Sequence, residues 1–452
     1  MSLKDQDKLA LVALNRFGLG SRSGSLGAVR ADAKAALLAE VNTLGIAHIV
    51  KGTLPTYEGA CRAVDRDFLI QDEINQAELA ARIKKHMEPD IGFVERLVLF
   101  FSNHFSMSID KDSAIRATIG QLERDVIRKN VLGSFKDMLL GVMKHPAMLR
   151  YLDNCDSIGP RSKAGKAWGA GLNHNLAREI LELHTLGVSG GYTETDIDHL
   201  AAALTGWSYV RGWEADGHYN GGNRFNRGRF LFRAEWHEPG PKGLLGRVFS
   251  QTGVDQAVAM LAMLAVHPST AQFLAFKLVR HFITDEPTPA MVDAIANVFH
   301  STQGDLKAVA KALINLPEAW TLPLTKLRTP YELQIAMMRA MNRTYTAPTR
   351  WVFYSTLDAL YNYPWLHPAP DGYSDESGYW MSPDAMRIRL ETAQMGASTM
   401  LDIALFDRTP ADLAHTMFGS AMADASSAAV SGTVVKRDGL ATLFMLSEFQ
   451  RR

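Results

Sequence analysis

Apolar side chains recur every three or four residues along most of this chain. Leu9, Val12, Ala13 and Phe17, for example, share one face of a segment that ends at Gly18. Such a period is typical of amphipathic helices. The same pattern predicts helices over 31–44, 65–87, 92–101, 115–129, 134–143, 172–187, 193–204, 254–264, 269–282, 289–299, 306–315, 330–341, 383–401 and 440–449. We therefore expect an all-α protein, a multi-helix globular bundle.

Two long irregular stretches interrupt the helical pattern. The first, 207–246, is rich in glycine and arginine, and its segment 229–236 could form a strand or hairpin arm. The second, 361–383, is rich in Tyr, Trp, Pro and Gly. Loops of this length are usually functional or disordered, and aromatic content argues against disorder. We expect one domain, 1–452, with a helical core at 1–206 and 250–452 and an irregular excursion at 207–249.

Length, charge and cysteine content limit the classes of protein to which this chain can belong. The 452 residues exceed the usual size of one hydrophobic core, so length alone favours two or three lobes. The 48 basic residues balance 48 acidic ones, which argues against a protein defined by nucleic-acid or anionic-membrane binding. Cys61 and Cys155 lie far apart, which disfavours a disulfide framework or a cysteine zinc site, while a single bridge between them stays open.

The N-terminus and the hydropathy of the chain allow a prediction of its cellular compartment. No stretch reaches the roughly 18 uncharged apolar residues of a membrane helix. The first residues run directly into an amphipathic segment and lack the parts of an export signal. The chain as written is expected to be cytoplasmic, or periplasmic or exported if a signal has been trimmed from it.

The segment 172–187 carries the most informative polar residues. At about 100° per residue, Glu179 and Glu182 lie one turn apart on the flank of its apolar stripe, and Arg178 points away. Two such carboxylates repel each other unless a cation, an arginine or a shared proton intervenes. The functional hypothesis is a divalent-metal site or an acid–base pair. His104 and His237 are the side chains expected to complete it.

The structural alternative is a buried polar network. Arg16, Arg96 or Arg280 would then neutralise the two glutamates. The same helical geometry places His184 on the flank opposite Glu182, so those two side chains should not share one ion.

Aromatic side chains in the irregular stretches suggest ligand contacts, each with a structural alternative. The arginine-rich stretch could hold single-stranded nucleic acid through stacking, or be a surface excursion whose arginines pair with acidic helices. The aromatic loop 361–383 could form a platform over a sugar or other flat ligand, or pack on the core as a lid. The candidate ligand residues are Arg178, Trp207, Trp365, Tyr373 and Trp380.

Several short motifs are spread along the chain. Besides the run 173–187, they are Asn15-Arg16-Phe17-Gly18, Asn103-His104-Phe105, Gly191-Tyr192-Thr193-Glu194, Leu204-Thr205-Gly206-Trp207, His237-Glu238-Pro239-Gly240 and Thr329-Pro330-Tyr331-Glu332. Together they resemble a large bacterial family called domain of unknown function number eighteen hundred. The resemblance extends over essentially the full length. It departs from the family pattern at His174, where the family usually has Glu, and at Glu238, where it has Asp.

The resemblance implies little chemistry. It supplies no agreed reaction, catalytic residue or cofactor, but many relatives resemble exported proteins and often sit beside a sulfatase-like partner protein. The leading hypothesis from the residues is a metal-assisted hydrolase, with Glu179 and Glu182 as ligands or acid–base groups and His104 and His237 beside them. The alternative is a non-catalytic binding or assembly protein that acts with a partner through its aromatic loops. Nucleic-acid binding is the least favoured hypothesis.

Overall fold

Helices make up most of the chain in the computed structural model, which describes residues 2–211, 227–343, 347–402 and 408–452, without the side chains of 347–349 and 400–402. The tip of the arginine-rich stretch, 212–226, therefore lies outside the described residues. The expected mostly helical fold is confirmed. The sequence missed several short helices, among them Pro146–Tyr151, Lys163–Trp168 and Pro410–Phe418.

The first half of the chain is a succession of short to medium helices. The α-helices are Leu3–Leu11, Ser25–Val29, Ala33–Asn42, Tyr57–Arg66, Ile70–His86, Phe93–His104, Ser113–Leu122, Arg128–Asn130, Phe135–Lys144, Pro146–Tyr151, Lys163–Trp168, Asn175–Glu179 and Glu194–Leu204. Three of these helices run into wider π-helical turns, Val12–Phe17, Glu123–Ile127 and Ile180–His184.

The second half is also helical after the irregular excursion. Its α-helices are Val254–Ala265, Pro268–Phe282, Pro289–Ser301, Leu306–Asn315, Glu318–Thr321, Pro330–Ala340, Ala347–Ala359, Pro383–Asp402, Pro410–Phe418, Asp424–Ser431, Lys436–Met445 and Ser447–Gln450. Single 3-10 turns lie at Asn154–Asp156, Ala234–Trp236, Ser377–Trp380 and Gly419–Ala421.

Local sequence signals explain where several helices begin. The Thr193 hydroxyl accepts a hydrogen bond from the backbone N–H of Asp196, whose carboxylate accepts from the backbone N–H of Thr193. This reciprocal capping box is the one expected from the sequence. Thr329 and Glu332 form a second box, with Pro330 at the first helical position.

The β-structure of the described residues consists of two small antiparallel hairpins. Trp207–Tyr209 pairs with Phe230–Phe232, so that Trp207 lies opposite Phe232. The predicted hairpin arm is thus confirmed, although it is shorter than the segment 229–236. A second pair, Lys242–Leu244 with Arg247–Phe249, was not expected from the sequence.

One large cluster of buried apolar side chains extends along the chain from Ala10 to Phe449. The helix Phe93–His104, here called the central helix, is almost entirely buried within it, including its polar residues Glu95, Arg96 and His104. Among the described helices, no single one is long and apolar enough to span a membrane, although Val254–Ala265 and Pro268–Phe282, bent by 58°, pass that test as a pair.

Buried ion pairs join the central helix to its neighbours. Glu95 accepts hydrogen bonds of 2.8 and 3.0 Å from the Arg128 guanidinium, and its other neighbour is the His86 ring, 2.8 Å away. Arg96 lies 3.1 Å from the Glu332 carboxylate, which also pairs with Arg452 at 2.9 Å. Each buried charge on this helix therefore has an opposite partner from a distant part of the chain.

Replacing Glu95 by Gln is expected to lower the free energy of unfolding by up to roughly 3–5 kcal/mol, because it removes the nearer of the two carboxylates that pair with the buried Arg128 and leaves only Glu123, 3.3 Å away. Burial opposes the charge on Glu95, but Arg128 and His86 outweigh it and lower the pKa of this carboxyl to about 2. Its stabilising contribution is therefore present above about pH 4 and is lost as the pH falls towards 2.

Urea unfolding of the parent and Glu95→Gln between pH 7 and about pH 3 measures both effects. The exposed Glu73→Gln, on the helix Ile70–His86, is the control and should change stability by less than about 0.5 kcal/mol. A Glu95→Gln protein as stable as the control at pH 7 would show that the ion pair is not needed.

Candidate functional site

The helix that carries the two glutamates differs from the straight helix predicted over 172–187. It begins at Asn175 and widens after Glu179 into the π-helical turn Ile180–His184. The Thr185 hydroxyl caps this turn by donating to the carbonyl of Ile180 at 2.6 Å. Because a π-turn holds more than 3.6 residues, the regular helical wheel does not apply beyond Glu179. Such turns are frequent at functional sites.

Glu182 has a cation and a hydrogen-bond donor as side-chain partners. Arg178 donates to the Glu182 carboxylate at 3.2 Å and to both oxygens of Glu194 at 3.1 and 2.9 Å. The hydroxyl of Tyr192 forms a further hydrogen bond with Glu182. Glu182 is therefore held as an ion-paired carboxylate at the surface.

The arginines expected to neutralise the two glutamates are engaged elsewhere. Arg16 donates to the backbone carbonyls of Ala319, Leu322 and Pro323. Arg96 pairs with Glu332 as described above, and Arg280 lies 2.8 Å from the Glu376 carboxylate. The buried network does exist, but its acids are Glu95, Glu123 and Glu332, because it forms around the central helix.

Glu179 has no hydrogen bond or ion pair with any side chain that the structure describes, although it is half-buried. Burial raises the pKa of its carboxyl, and the negative charges of Glu182 and Asp371 raise it further against the opposing charge of Arg178. The helix pair is thus divided into one ion-paired carboxylate, Glu182, and one carboxyl with a raised pKa, Glu179.

Asp371, on the aromatic loop, is a third carboxylate in the neighbourhood of Glu179 and Glu182. It acts electrostatically on Glu179, on the Tyr151 hydroxyl and on the ammonium group of Lys277. Its nearest recorded partner is the His367 ring, 3.4 Å away. Asp371 therefore lies between the helix that carries Glu179 and Glu182, here called the carboxylate helix, and the helix Pro268–Phe282.

The loop around Asp371 is fixed to the central helix by Asn103. The Asn103 amide donates to the backbone carbonyl of Tyr373 at 2.9 Å, and the backbone N–H of Tyr373 donates to the Asn103 side-chain oxygen at 2.8 Å. Gly372 has φ +77°, and a Cβ at this position would lie 2.5 Å from the Asn103 carbonyl oxygen. Only glycine fits this approach, because any side chain would both clash and strain the backbone.

His104 and His184 form a reciprocal pair in the core. The Nε2 of His104 donates to the backbone carbonyl of His184 at 3.2 Å, and the Nδ1 of His184 donates to the backbone carbonyl of His104 at 3.1 Å. The remaining nitrogen of His104, Nδ1, lies 3.2 Å from the amine of Lys277. Burial lowers the pKa of His104 well below its usual value and that of His184 to about 3, so both rings are neutral.

Contacts with other groups also engage His104 and His237, two of the four residues expected at the site. Both ring nitrogens of His104 are occupied, so His104 is not a free ligand for an ion at Glu179. His237 donates through Nδ1 to the backbone carbonyl of Thr205 at 3.1 Å and packs on Phe232. Within the described ranges, no group of three or more His, Cys, Asp or Glu side chains is arranged to hold a metal ion.

A cleft of about 530 Å³ opens between the helix Pro268–Phe282 and the aromatic loop, and Asp371 lines it. This volume lies in the range of about 300–1,000 Å³ typical of small-molecule sites. Phe273 and Phe276 form apolar wall. The charged residues of its lining are Lys277, Arg280, Asp371, Asp375 and Glu376. Asp375 is itself held by the His281 ring at 2.6 Å.

The tryptophans proposed as ligand contacts are buried in the structure. Trp207 is fully buried, and Trp365 and Trp380 are only 7% and 3% exposed. The indole N–H of Trp365 donates to Ser102 at 3.3 Å, and that of Trp380 donates to the backbone carbonyl of Ser374 at 2.9 Å. Among the candidate aromatic residues, Tyr373 alone lines the cleft, with its hydroxyl bonded to the carbonyl of Tyr363.

Arginines on the described part of the arginine-rich stretch pair with acidic side chains. Arg229 lies 2.7 Å from Glu58, Arg211 pairs with Asp156, and Arg227 pairs with Asp65. These contacts are the ones expected of a surface excursion. Cys61 and Cys155 are free thiols.

The sequence analysis missed Lys277, Asp371 and Asp375. The signal for Lys277 was present, since it lies among apolar residues of a strongly amphipathic helix, one turn before His281. Asp371 and Asp375 gave no signal, because their position depends on where a long loop packs.

Glu179→Gln is expected to raise the free energy of unfolding at pH 8, by about 0.5 kcal/mol or less because the side chain is half-exposed and solvent screens its charge. A carboxyl with a raised folded pKa destabilises the fold only when it is ionised, so the gain should vanish below about pH 4. Glu194→Gln is the matched control: it removes a partner of Arg178 whose charge is not among those that raise the pKa of Glu179, and it should give no gain.

Urea unfolding at pH 8 and pH 4 measures these differences. A Glu179→Gln protein that is less stable than the parent at pH 8 would contradict the assignment, since it would mean that a cation or donor holds the ionised form.

Comparison with known proteins identifies the family of this chain. The family described as "Protein of unknown function (DUF1800)" matches residues 12–451. No curated protein matches the chain. No solved structure matches it either. Since the family match covers nearly the whole chain, the resemblance seen in the sequence motifs is confirmed, and the chain belongs to the DUF1800 family.

Proposed function

We propose that this protein is a hydrolytic enzyme in which Glu179 is the general acid–base. The observation that carries the proposal is a half-buried carboxyl with a raised pKa and no partner among the described side chains. The charge of Asp371 acts on this carboxyl, and Asp371 lines a cleft of ligand size. Carboxyl groups with perturbed pKa values in clefts are candidates for catalysis.

The two other carboxylates near Glu179 have different surroundings. Glu182 is held by Arg178, and Asp371 lies beside His367. Their charges favour protonation of Glu179, which brings its pKa closer to neutral pH and makes proton transfer easier in both directions. In a hydrolysis, Glu179 would accept a proton from the attacking water and return a proton to the leaving group. The charge of Asp371 would keep the pKa of Glu179 raised.

A metal-assisted form of this hydrolysis would require further ligands around Glu179. The His104 ring nitrogens already bond to the His184 carbonyl and to Lys277, and the recorded contacts of His237 do not include Glu179 or Glu182. These donors do not fit a shared metal ion, so the acid–base form is the one we propose.

Hydrolysis is tested with a panel of nitrophenyl acetate, phosphate, sulfate and glycosides. Any activity found in the parent should fall at least about hundredfold in Glu179→Gln, the usual contribution of a general acid–base. The exposed Glu235→Gln is the control and should keep full activity, because Glu235 pairs only with Lys163 at the surface. Circular dichroism and thermal unfolding check that all proteins are folded.

The same assay distinguishes the two forms of the proposal. Activity that survives dialysis against a chelator supports the acid–base form. Activity lost with the metal and restored by one divalent ion supports the metal-assisted form instead. Full activity in Glu179→Gln overturns the role of Glu179.

A second candidate, a binding protein that acts with a partner, has one supporting observation. The aromatic loop exposes Tyr361 by 85%, Tyr379 by 63% and Met381 by 48%. Exposed aromatic and Met side chains are enriched at protein interfaces. The partner proposed from the family resemblance is a sulfatase-like protein. A parent protein that hydrolyses nothing in the panel but forms a stable complex with such a protein, lost in Tyr379→Ser, would favour this candidate.

A further inference from the structure

We propose that Lys277 is a nucleophilic amine that takes aldehydes or ketones from the cleft as imines. The proposal concerns a residue with no role in the acid–base chemistry of Glu179, and it stands on the geometry of the Lys277 side chain. That side chain lines the cleft, bonds to a neutral ring, and forms no ion pair with any acid that the structure describes.

The hydrogen bond to His104 has only one sense. A backbone carbonyl can only accept, so the Nε2 of His104 must carry the proton that it donates to the His184 carbonyl. The Nδ1 of the neutral ring therefore holds a lone pair, and Lys277 donates to it at 3.2 Å. An uncharged amine can form this bond with one N–H, and its own lone pair then points away from His104.

The acids nearest to Lys277 have other partners. Asp375 accepts from the His281 ring at 2.6 Å, and Asp371 lies beside His367. Neither comes within ion-pair distance of the Lys277 amine, although both act on it through space.

Charged and titratable groups surround Lys277 on four sides in the described residues. They are His104 on the central helix, His184 on the helix of Glu179, Arg280 and His281 on its own helix, and His367, Asp371, Tyr373, Asp375, Glu376 and Tyr379 on the loop. Burial lowers the pKa of the Lys277 ammonium, against the opposing charges of Asp375 and Asp371. Desolvated lysines of this kind are the ones that form Schiff bases in enzymes.

The covalent step balances without any oxidant. The Lys277 nitrogen attacks the carbonyl carbon, and the C=O electron pair moves to oxygen, which takes a proton. Loss of that oxygen as water gives the C=N bond, and the second amine proton leaves with it. The apolar wall of Phe273 and Phe276 suits a carbonyl compound with an aromatic or other apolar substituent.

The test is reductive trapping with benzaldehyde and sodium cyanoborohydride on the folded, full chain near pH 7. Cyanoborohydride reduces an imine to a stable benzyl amine, which peptide mass spectrometry locates. We expect Lys277 to be modified at least about tenfold faster than Lys84, an exposed lysine of the same chain, since each unit by which the pKa falls raises the free amine about tenfold. Lys277→Met should lose this adduct and keep the slow reaction at Lys84.

Asp371→Asn gives a second, independent readout. Asp371 is exposed, so its replacement should not disturb the fold, and losing its negative charge lowers the pKa of Lys277 further. The rate at Lys277 should therefore rise in Asp371→Asn and its pH profile should move to lower pH.

Two results would overturn the proposal. One is modification of Lys277 no faster than Lys84 in folded protein, and the other is a rate that does not respond to Asp371→Asn. Trapping needs no hydrolytic turnover, so failure of this proposal and failure of the hydrolytic one are distinguishable.

Discussion

The central helix can lie in the middle of the apolar core only because each of its polar side chains meets a partner there. Glu95 binds Arg128 and His86, and Arg96 binds Glu332. Unpaired, such charges would be costly to bury. The partners come from three other helices, and Arg452 pairs in turn with Glu332, so satisfying this one helix fixes the relative positions of distant parts of the chain.

The same helix also positions the candidate site. Its last two residues, Asn103 and His104, point to different elements: Asn103 holds the aromatic loop, and His104 joins the carboxylate helix to Lys277. Asp371 reaches the neighbourhood of Glu179 because the loop is fixed at Gly372 and Tyr373. The cleft is thus a consequence of how the core is tied together, and its charged groups are placed by rigid elements.

Much of the fold followed from local pattern. The period of apolar residues predicted most of the longer helices, and the Thr193 capping box predicted where one of them begins. The partners of the buried charges were less accessible, since Arg16, Arg96 or Arg280 was expected to neutralise Glu179 and Glu182. Arg16 instead binds backbone carbonyls, Arg96 pairs with Glu332, and Arg280 pairs with Glu376. That choice depends on contacts between residues hundreds of positions apart, which no local spacing encodes.

The candidate site was likewise predicted from the sequence only in part. Sequence reasoning singled out Glu179, Glu182, Tyr373 and His104, but it expected His104 to be a ligand, whereas its ring bridges two elements of the core. The π-helical turn after Glu179 was also not predicted, because it comprises only the last five residues of the helix, too few for a change in the apolar period to be visible in the sequence.

The most direct test of this account is the titration of the Glu179 carboxyl by carbon NMR on protein labelled at the glutamate Cδ. The spectrum of Glu179→Gln assigns the resonance. The account predicts a pKa above the ordinary value of about 4.3, and a fall towards that value when Asp371→Asn removes the neighbouring charge. A pKa at or below the ordinary value in the folded parent would contradict it, because Glu179 would then be a stabilised carboxylate with no proton to exchange near neutral pH.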